Sequence, residues 1–440
     1  MPLAIVGIGI LFLLILMTVF KLNAFISLLV TSFLVAILNQ MGINEALSSI
    51  LRGLGDTLGS IILIITFGAM LGKLIEESGA ALVITHQLTE LFGQKYIQIA
   101  IVFTGFLVGL PMIYNAGFLV LIPLIYTLSK SAKLPLLYLG IPMSASLSIA
   151  HAYLPPHPAP VAVSAIYGAD VNVALLYGLI PCIPAMIIAG LLLSRFFSKL
   201  EVNPPENLYE YKEIPSEKLP SLSMSLLTTL SPVILMLLGA VITFTAGNQA
   251  ETWWMNSAKF ISNPNIALFI SVIIGLYTLG VRQGRNISEL MKSLEKSAAG
   301  IAMIILIIGS GGALKQVLFD SGVAEYIKTI TLDMKLNPIV LAWVVAALLR
   351  LTIGSSTVAT ITAAGIMLPI VAVSGVKPEL MVLATGSGSI MFSHFNDVGF
   401  WMFKEYYNIS IKQTFQIWTV MECLIGTIGL ITVLIIHHFL

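Results

Sequence analysis

The sequence predicts an all-α polytopic membrane protein made of two inverted-topology repeats that contain re-entrant hairpins and broken helices. Three observations carry this reading. The 440 residues are 58% hydrophobic and only 10% charged, whereas a soluble domain has about 45–50% apolar and roughly 25% charged residues. The apolar residues fall into segments long enough to cross a bilayer. The chain also aligns with itself at an offset of 243 residues. A large soluble core is excluded.

Taken in order, the candidate spans are 3–20, 22–38, 57–75, 173–193, 226–246, 266–279, 299–314 and 417–436. They are judged against the roughly 17–25 residues that cover a hydrocarbon core of about 30 Å. The first follows Met1-Pro2 without a basic leader and runs into the second, so it reads as an uncleaved span. Between them lie four apolar stretches rich in Gly, Ser, Thr and Pro, at 97–128, 134–165, 340–373 and 380–403. Non-helical backbone survives at membrane depth only where protein or a polar cavity satisfies it, so these are expected to be the hairpins and breaks. The longest polar stretch, 195–219 (RFFSKLEVNPPENLYEYKEIPSEKL), divides the chain. The expected organisation is a first repeat over 1–194, a cytoplasmic linker over 195–224 and a second repeat over 225–440.

A net charge of +1 leaves no clustered basic surface for nucleic acid. The charges that exist set an orientation. Lys21, Arg195, Lys199, Lys212, Lys218, Arg282, Arg285, Lys292 and Lys296 fall on one side of the alternation, which is then cytoplasmic, and both termini lie outside. Arg52 and Lys259 occupy the opposite loops, with Trp253 and Trp254 as an interfacial pair. Cys182 and Cys423 sit in apolar stretches and suggest no disulfide framework.

In the self-alignment, IILII at 61–65 falls on IILII at 304–308, Gly68 on Gly311, Ser78-Gly79 on Ser321-Gly322, Pro135 on Pro378, and His151 on His394. The orientation count places the segment after Leu38 outside and its counterpart after Leu279 inside, so the repeats run in opposite directions. Inverted repeats with discontinuous helices are the architecture of secondary transporters.

Four segments could carry chemistry, in repeat-related pairs: 109–118 (GLPMIYNAGF) with 352–365 (TIGSSTVATITAAG), and 148–160 (SIAHAYLPPHPAP) with 393–401 (SHFNDVGFW). The first pair are candidate hairpin tips and the second candidate helix breaks. Half-helix N-termini there attract anions. Expected substrate contacts are Tyr114, Asn115, His151, Ser355, Ser356, Thr357, Ser393 and Asn396; the expected proton-coupling residues are Asp397, His394 and His151. An ionisable side chain within a membrane is a functional candidate by default, against the structural reading of His as a helix-break residue and of Asp397 as an N-cap. His157 stands between prolines. Arg350 reads as a snorkelling anchor, Glu422 as an interfacial residue, and Lys73 and Lys315 as helix-end markers.

Enzyme chemistry fits poorly. Prolines keep His151 and His157 from the i, i+4 facing of a zinc-protease helix, no Walker A sequence is present, and nothing resembles a nucleophile elbow. No metal or cofactor is expected.

Across these segments the chain resembles the gluconate permease family, the gluconate:proton symporters. The resemblance covers essentially the whole chain, through FGAMLGKLIEESG, LPLLYLGIPMSASLSIAHAYLPPHPAP, GGALKQVLFDSGV and SGVKPELMVLATGSGSIMFSHFNDVGFWMFKEYYNIS. It implies proton-coupled import of gluconate or a related sugar acid across the inner membrane of a bacterium. It also implies the ion-transporter fold, with a dimerising scaffold and an elevator-type transport unit. The chain departs from the gluconate pattern at Asn115, where the family's gluconate carriers are associated with a glutamate. It departs again at Ala150-His151-Ala152 in place of Thr-His-Gly, at Ala159 in place of Gly and at Val398 in place of Pro. Idonate, fructuronate, glycerate and D-serine therefore stay open as substrates. A sodium-coupled carrier and a passive channel are the rival classes.

Overall fold

The computed structural model describes residues 2–200, 202, 219–246, 252–322, 337–394 and 397–440. Most of the predicted 195–224 linker and Asn396 lie outside the described residues. The first half comprises α1 (Pro2–Thr18), α2 (Ala24–Leu38), α3 (Ile43–Ser78), α4 (Ala80–Phe92), α5 (Ile97–Gly109), α6 (Tyr114–Ala132), α7 (Leu136–Tyr153), α8 (Pro158–Tyr167) and α9 (Val171–Phe196). The second comprises α10 (Leu222–Ala246), α11 (Trp253–Ser262), α12 (Pro264–Gln283), α13 (Ile287–Gly300), α14 (Ala302–Asp320), α15 (Pro338–Ile353), α16 (Ser356–Val371), α17 (Pro378–Gly388), α18 (Val398–Tyr406) and α19 (Ile411–Phe439). Among the described residues seven helices are long and apolar enough to span a membrane. The protein is an all-helical, multi-pass membrane protein.

Each of the four Gly/Ser/Thr/Pro-rich stretches is interrupted where its composition demands. The 97–128 and 340–373 stretches become the helix pairs α5–α6 and α15–α16, and the 134–165 and 380–403 stretches become α7–α8 and α17–α18. α3 departs from its expected span: it starts at Ile43, well before residue 57, and runs for 36 residues, roughly 54 Å at about 1.5 Å per residue. Its first turns carry Asn44, Glu45, Arg52 and Asp56. A hydropathy window discards such an amphipathic lead, although helix propensity carries straight through it.

α7 and α17 form the centre. Almost every residue of both is buried. α7 packs on α5, α6 and α9, and α17 on α15, α19 and α8. α3 and α14 run against each other, flanked by α2 and α12. This contact is possible because glycines remove the side-chain ridge: a Cβ on Gly53 would collide with the carbonyl oxygen of Gly312 and lie 3.0 Å from Cα of Ala313. Close backbone approach through small residues is how helices gain van der Waals contact where burial in lipid supplies no hydrophobic drive.

Polar clusters tie both ends of α3 to the second half, one to α14 and the other to α13 and the residue stretch before it. Asp320 accepts hydrogen bonds from Ser49 Oγ at 2.7 Å and from the Arg52 guanidinium at 3.3 Å. Glu77 accepts from Ser293 Oγ at 2.6 Å and from Arg285. Glu77 and Asp320 stand at the same 243-residue offset as the sequence repeat. The helices of the two halves also follow in the same order, α3 answering to α13–α14, α5–α6 to α15–α16 and α7–α8 to α17–α18.

Replacing Gly53 with alanine forces the α3 and α14 backbones apart, because the atoms it meets are the Gly312 carbonyl oxygen, Ala313 Cα and Gln316 Cβ, all fixed to the α14 backbone. The expected loss is about 1–3 kcal/mol, measured as a lowered thermal midpoint in detergent, while Gly55→Ala, whose Cβ would meet nothing within 4 Å, raises the midpoint slightly through helix propensity.

Candidate functional site

The site begins with four helix starts. α5 ends at Gly109 and α6 begins at Tyr114, leaving 110–113 as the first hairpin tip. At the second tip Gly354 takes a left-handed backbone (φ 82°) directly after α15, a conformation open to glycine at little steric cost. Ser355 then caps α16, its hydroxyl accepting from Val358 N–H at 3.4 Å. α7 stops before Pro155 and Pro156, and α8 starts at Pro158 in the first-turn position where a missing N–H costs nothing. α17 ends at Gly388, and α18 starts behind Asp397, whose Oδ1 accepts from Gly399 N–H at 3.0 Å.

All four starts face one cavity of about 320 Å³, within the range of small-molecule sites, about 300–1,000 Å³. α6 contributes Tyr114 and Asn115, α8 Pro158, α16 Ser356 and Thr357, and α18 Val398 and Gly399. The α6, α16 and α18 N-termini each bring a dipole end equivalent to roughly half a positive charge, with the Val358 and Gly399 N–H groups taken by Ser355 and Asp397, whereas α8, with prolines at 158 and 160, offers only the Ala159 N–H at its first three positions. The remaining wall comes from Ser148 and His151 on α7, Ile304 and Ile307 on α14, Arg350 on α15, and Trp418 and Glu422 on α19. Ser148 and His151 are three apart and Trp418 and Glu422 four apart, so each pair shares one helix face.

An ion pair spans the second half of the site. Arg350, 3% exposed, pairs with Asp397 Oδ2 and donates also to the Gly354 carbonyl oxygen. Its Nε is buried without a hydrogen-bond partner. Asp397 Oδ2 additionally accepts from the Ser393 hydroxyl, and Ser393 Oγ accepts in turn from Trp418 Nε1–H at 2.7 Å. Trp418 stands edge-on to Tyr114 at 5.4 Å between ring centroids, which sets an aromatic surface beside the polar one. Across the cavity, Glu422, 2% exposed, accepts from Ser148 Oγ at 2.6 Å. His151 Nδ1 lies 3.3 Å from Nδ1 of the buried His157, so one ring donates and the other accepts.

Of the residues singled out from the sequence, Tyr114, Asn115, His151, Ser355, Ser356, Thr357 and Asp397 line this cavity. Ser393 does not: it is fully buried behind Asp397 and orients that carboxylate. His394 turns away, its Nε2 3.0 Å from the Leu351 carbonyl oxygen. Asn396 lies outside the described residues. Two expectations are corrected. Arg350 is no snorkelling anchor, because it is buried and paired with a residue 47 positions away. Glu422 is no interfacial residue, because the π-helical turn at 415–419 and the α19 packing carry it into the cavity wall. The spacing of Trp418 to Glu422 was the available signal for the second, as was the Arg350-to-Gly354 interval, one helical turn, for the first.

Comparison with known proteins agrees with this architecture. A family model described as GntP family permease matches residues 1–439. The chain is 46% identical to the Gnt-II system L-idonate transporter of Escherichia coli (strain K12), with 100% of both chains covered. It is 44% identical to a high-affinity gluconate transporter of the same organism, over 99% of each, and 40% identical to a gluconate permease of Bacillus licheniformis, over 100% of each. Among solved structures, the Alcanivorax borkumensis YdaH transporter matches with a TM-score of 0.67 at 17% identity, covering 90% of both chains. Neisseria gonorrhoeae MtrF matches with a TM-score of 0.64 at 15% identity, covering 90% of this chain and 85% of that one.

Arg350→Gln leaves Asp397 charged and uncompensated in the cavity wall, a loss of about 3–5 kcal/mol. Thermal unfolding in detergent should show that loss in the single variant and recovery of most of it in the Arg350→Gln/Asp397→Asn double variant. An additive double variant would mean that the two side chains do not interact.

Proposed function

The chain belongs to the GntP permease family, and from that premise we propose that it is a secondary transporter importing gluconate, idonate or a related sugar acid across the cytoplasmic (inner) membrane of a bacterium. The observation that carries the reading is the convergence of four helix N-termini and one buried arginine on a single cavity sized for a small molecule. Such a site holds a carboxylate without a free lysine or arginine reaching in from solvent. Its hydroxyl and amide groups, Asn115, Ser355, Ser356 and Thr357, suit a polyol chain. The Tyr114 and Trp418 rings offer apolar faces to its C–H edges. The names of the related L-idonate and gluconate transporters support the same class.

We assign the coupling ion as the proton. The Arg350 guanidinium already occupies the Gly354 carbonyl at the second hairpin tip, the kind of oxygen a sodium ion would need. His151, Asp397 and Glu422 are the His, Asp and Glu side chains of the wall and so its candidate proton carriers. Substrate and proton would enter from outside and bind between tips and breaks. The hairpin-bearing unit would then move against the scaffold of α3, α14 and their neighbours as an elevator, with two inverted repeats making the inward and outward states near mirror images. A homodimer formed through the scaffold fits this scheme.

Purified protein in liposomes should accumulate labelled gluconate or idonate under an acid-outside gradient, equally well with sodium replaced by potassium. Unlabelled idonate, fructuronate, glycerate and D-serine, added as competitors, rank the substrates. One proton with one monovalent anion moves no net charge, so an imposed potential at zero pH gradient should drive nothing. Each additional proton would be worth about 2.3 kcal/mol per 100 mV, and potential-driven uptake would overturn the one-to-one stoichiometry. Strict sodium dependence would overturn the choice of ion.

A further inference from the structure

We infer that Glu422 is the residue that carries the coupled proton, and that its protonation is what makes room for the substrate's negative charge. The inference rests on the sugar-acid reading above and deepens it.

The cavity wall holds five ionisable side chains: Tyr114, His151, Arg350, Asp397 and Glu422. Arg350 and Asp397 neutralise each other, and Asp397 has its charge fully served. One oxygen takes the guanidinium and the Ser393 hydroxyl, and the other takes the Gly399 N–H. Asp397 is thus held in place as the partner of a buried guanidinium. His151 is committed to its neighbour His157 through the shared Nδ1–Nδ1 contact, and a cation there would face the Arg350 charge across the same cavity. Glu422 differs from both. Its one hydrogen bond among the described residues is from the Ser148 hydroxyl, and its side chain has no cation of its own.

Several neighbouring elements bring titratable groups toward α19. α7 presents His151, and also Tyr153, which donates to the Ile425 carbonyl oxygen. α6 presents Tyr114, α15 Arg350 and the start of α18 Asp397. α9 presents the buried thiol of Cys182, and α19 itself Cys423. α17 carries its carboxylate, Glu379, at its first turn, bonded to the Asp170 backbone N–H at 3.0 Å.

The charge count then decides the coupling. With Glu422 ionised, the empty cavity already carries one uncompensated negative charge, and a sugar acid would add a second. With Glu422 neutral, the substrate carboxylate is the single excess charge, and four helix N-termini stand ready to receive it. Two like charges in one small, water-poor site are strongly disfavoured. Substrate binding and protonation of Glu422 therefore favour each other, one for one, which is what symport requires. The neutral Asn115 sharpens the assignment: the first hairpin tip offers no carboxylate to share the task.

The test is binding in weakly buffered detergent solution, with gluconate and idonate as probes, followed by a pH indicator and by calorimetry. Wild-type protein should take up close to one proton per substrate bound, and its Kd should weaken about tenfold per pH unit above the range where Glu422 titrates. Glu422→Gln, a permanently neutral mimic, should bind with a Kd that no longer changes with pH and take up no proton. In liposomes it should exchange labelled for unlabelled substrate but fail to concentrate it. Proton uptake that persists in Glu422→Gln overturns the inference. Infrared difference spectroscopy on the wild type covers a variant that fails to fold: the carbonyl band of a protonated carboxylic acid should grow on substrate binding, and its absence overturns the inference. Wild-type protein that binds neither sugar acid refutes the substrate reading instead.

Discussion

The buried pair between Arg350 and Asp397 holds the second half of the site together. It links the end of α15 with its left-handed cap at Gly354 to the start of α18, two pieces of chain 47 residues apart. A guanidinium this deep in a membrane protein is tolerable only with its charge and donors engaged. Asp397 supplies the charge, and the Gly354 carbonyl takes a second donor. Asp397 does a third thing, capping α18, so the structural and the functional reading of that residue describe the same atoms. Ser393 and Trp418 extend the network to α19 and bring Glu422 to the wall one helical turn further on.

The first half solves the same problem without ions. Pro155, Pro156 and Pro158 at the break and the 110–113 turn at the tip end the helices, and both interruptions border the cavity, through Pro158 and Ile113. This follows from the rule that every backbone polar group at membrane depth must find a partner: the interruptions gather where a polar ligand can be that partner. The resulting wall is asymmetric, with the Arg350–Asp397 pair on one side and Asn115, Ser148 and His151 on the other.

Close packing supports the arrangement from outside. Glycines at positions 53 and 312 bring α3 and α14 into backbone contact, and carboxylate-centred clusters tie α3 to α14 at Asp320 and to α13 at Glu77. α14 also reaches the cavity through Ile304 and Ile307. α14 thus ties the α3 packing face directly to the cavity wall.

The amino-acid sequence by itself determined the solvent the chain folds in, the positions of the four interruptions and most of the neutral cavity wall. Hydropathy, Pro and Gly act locally: they decide where a helix can run and where it must stop, whatever packs around it. Asn115, Ser355, Ser356 and Thr357 were legible because they sit at those stops. What only the tertiary structure decided was which charges meet. Arg350 and Asp397 are 47 residues apart, Ser148 and Glu422 are 274 apart, and no local rule couples either pair. Read alone, an arginine at a helix end is a surface anchor and a glutamate near the start of a span is interfacial. His394 shows the converse, a repeat-matched histidine that the chain turns toward the Leu351 carbonyl. The reason is physical: interruption is a property of the backbone at one position, whereas burial and ion pairing depend on the helices that close around it.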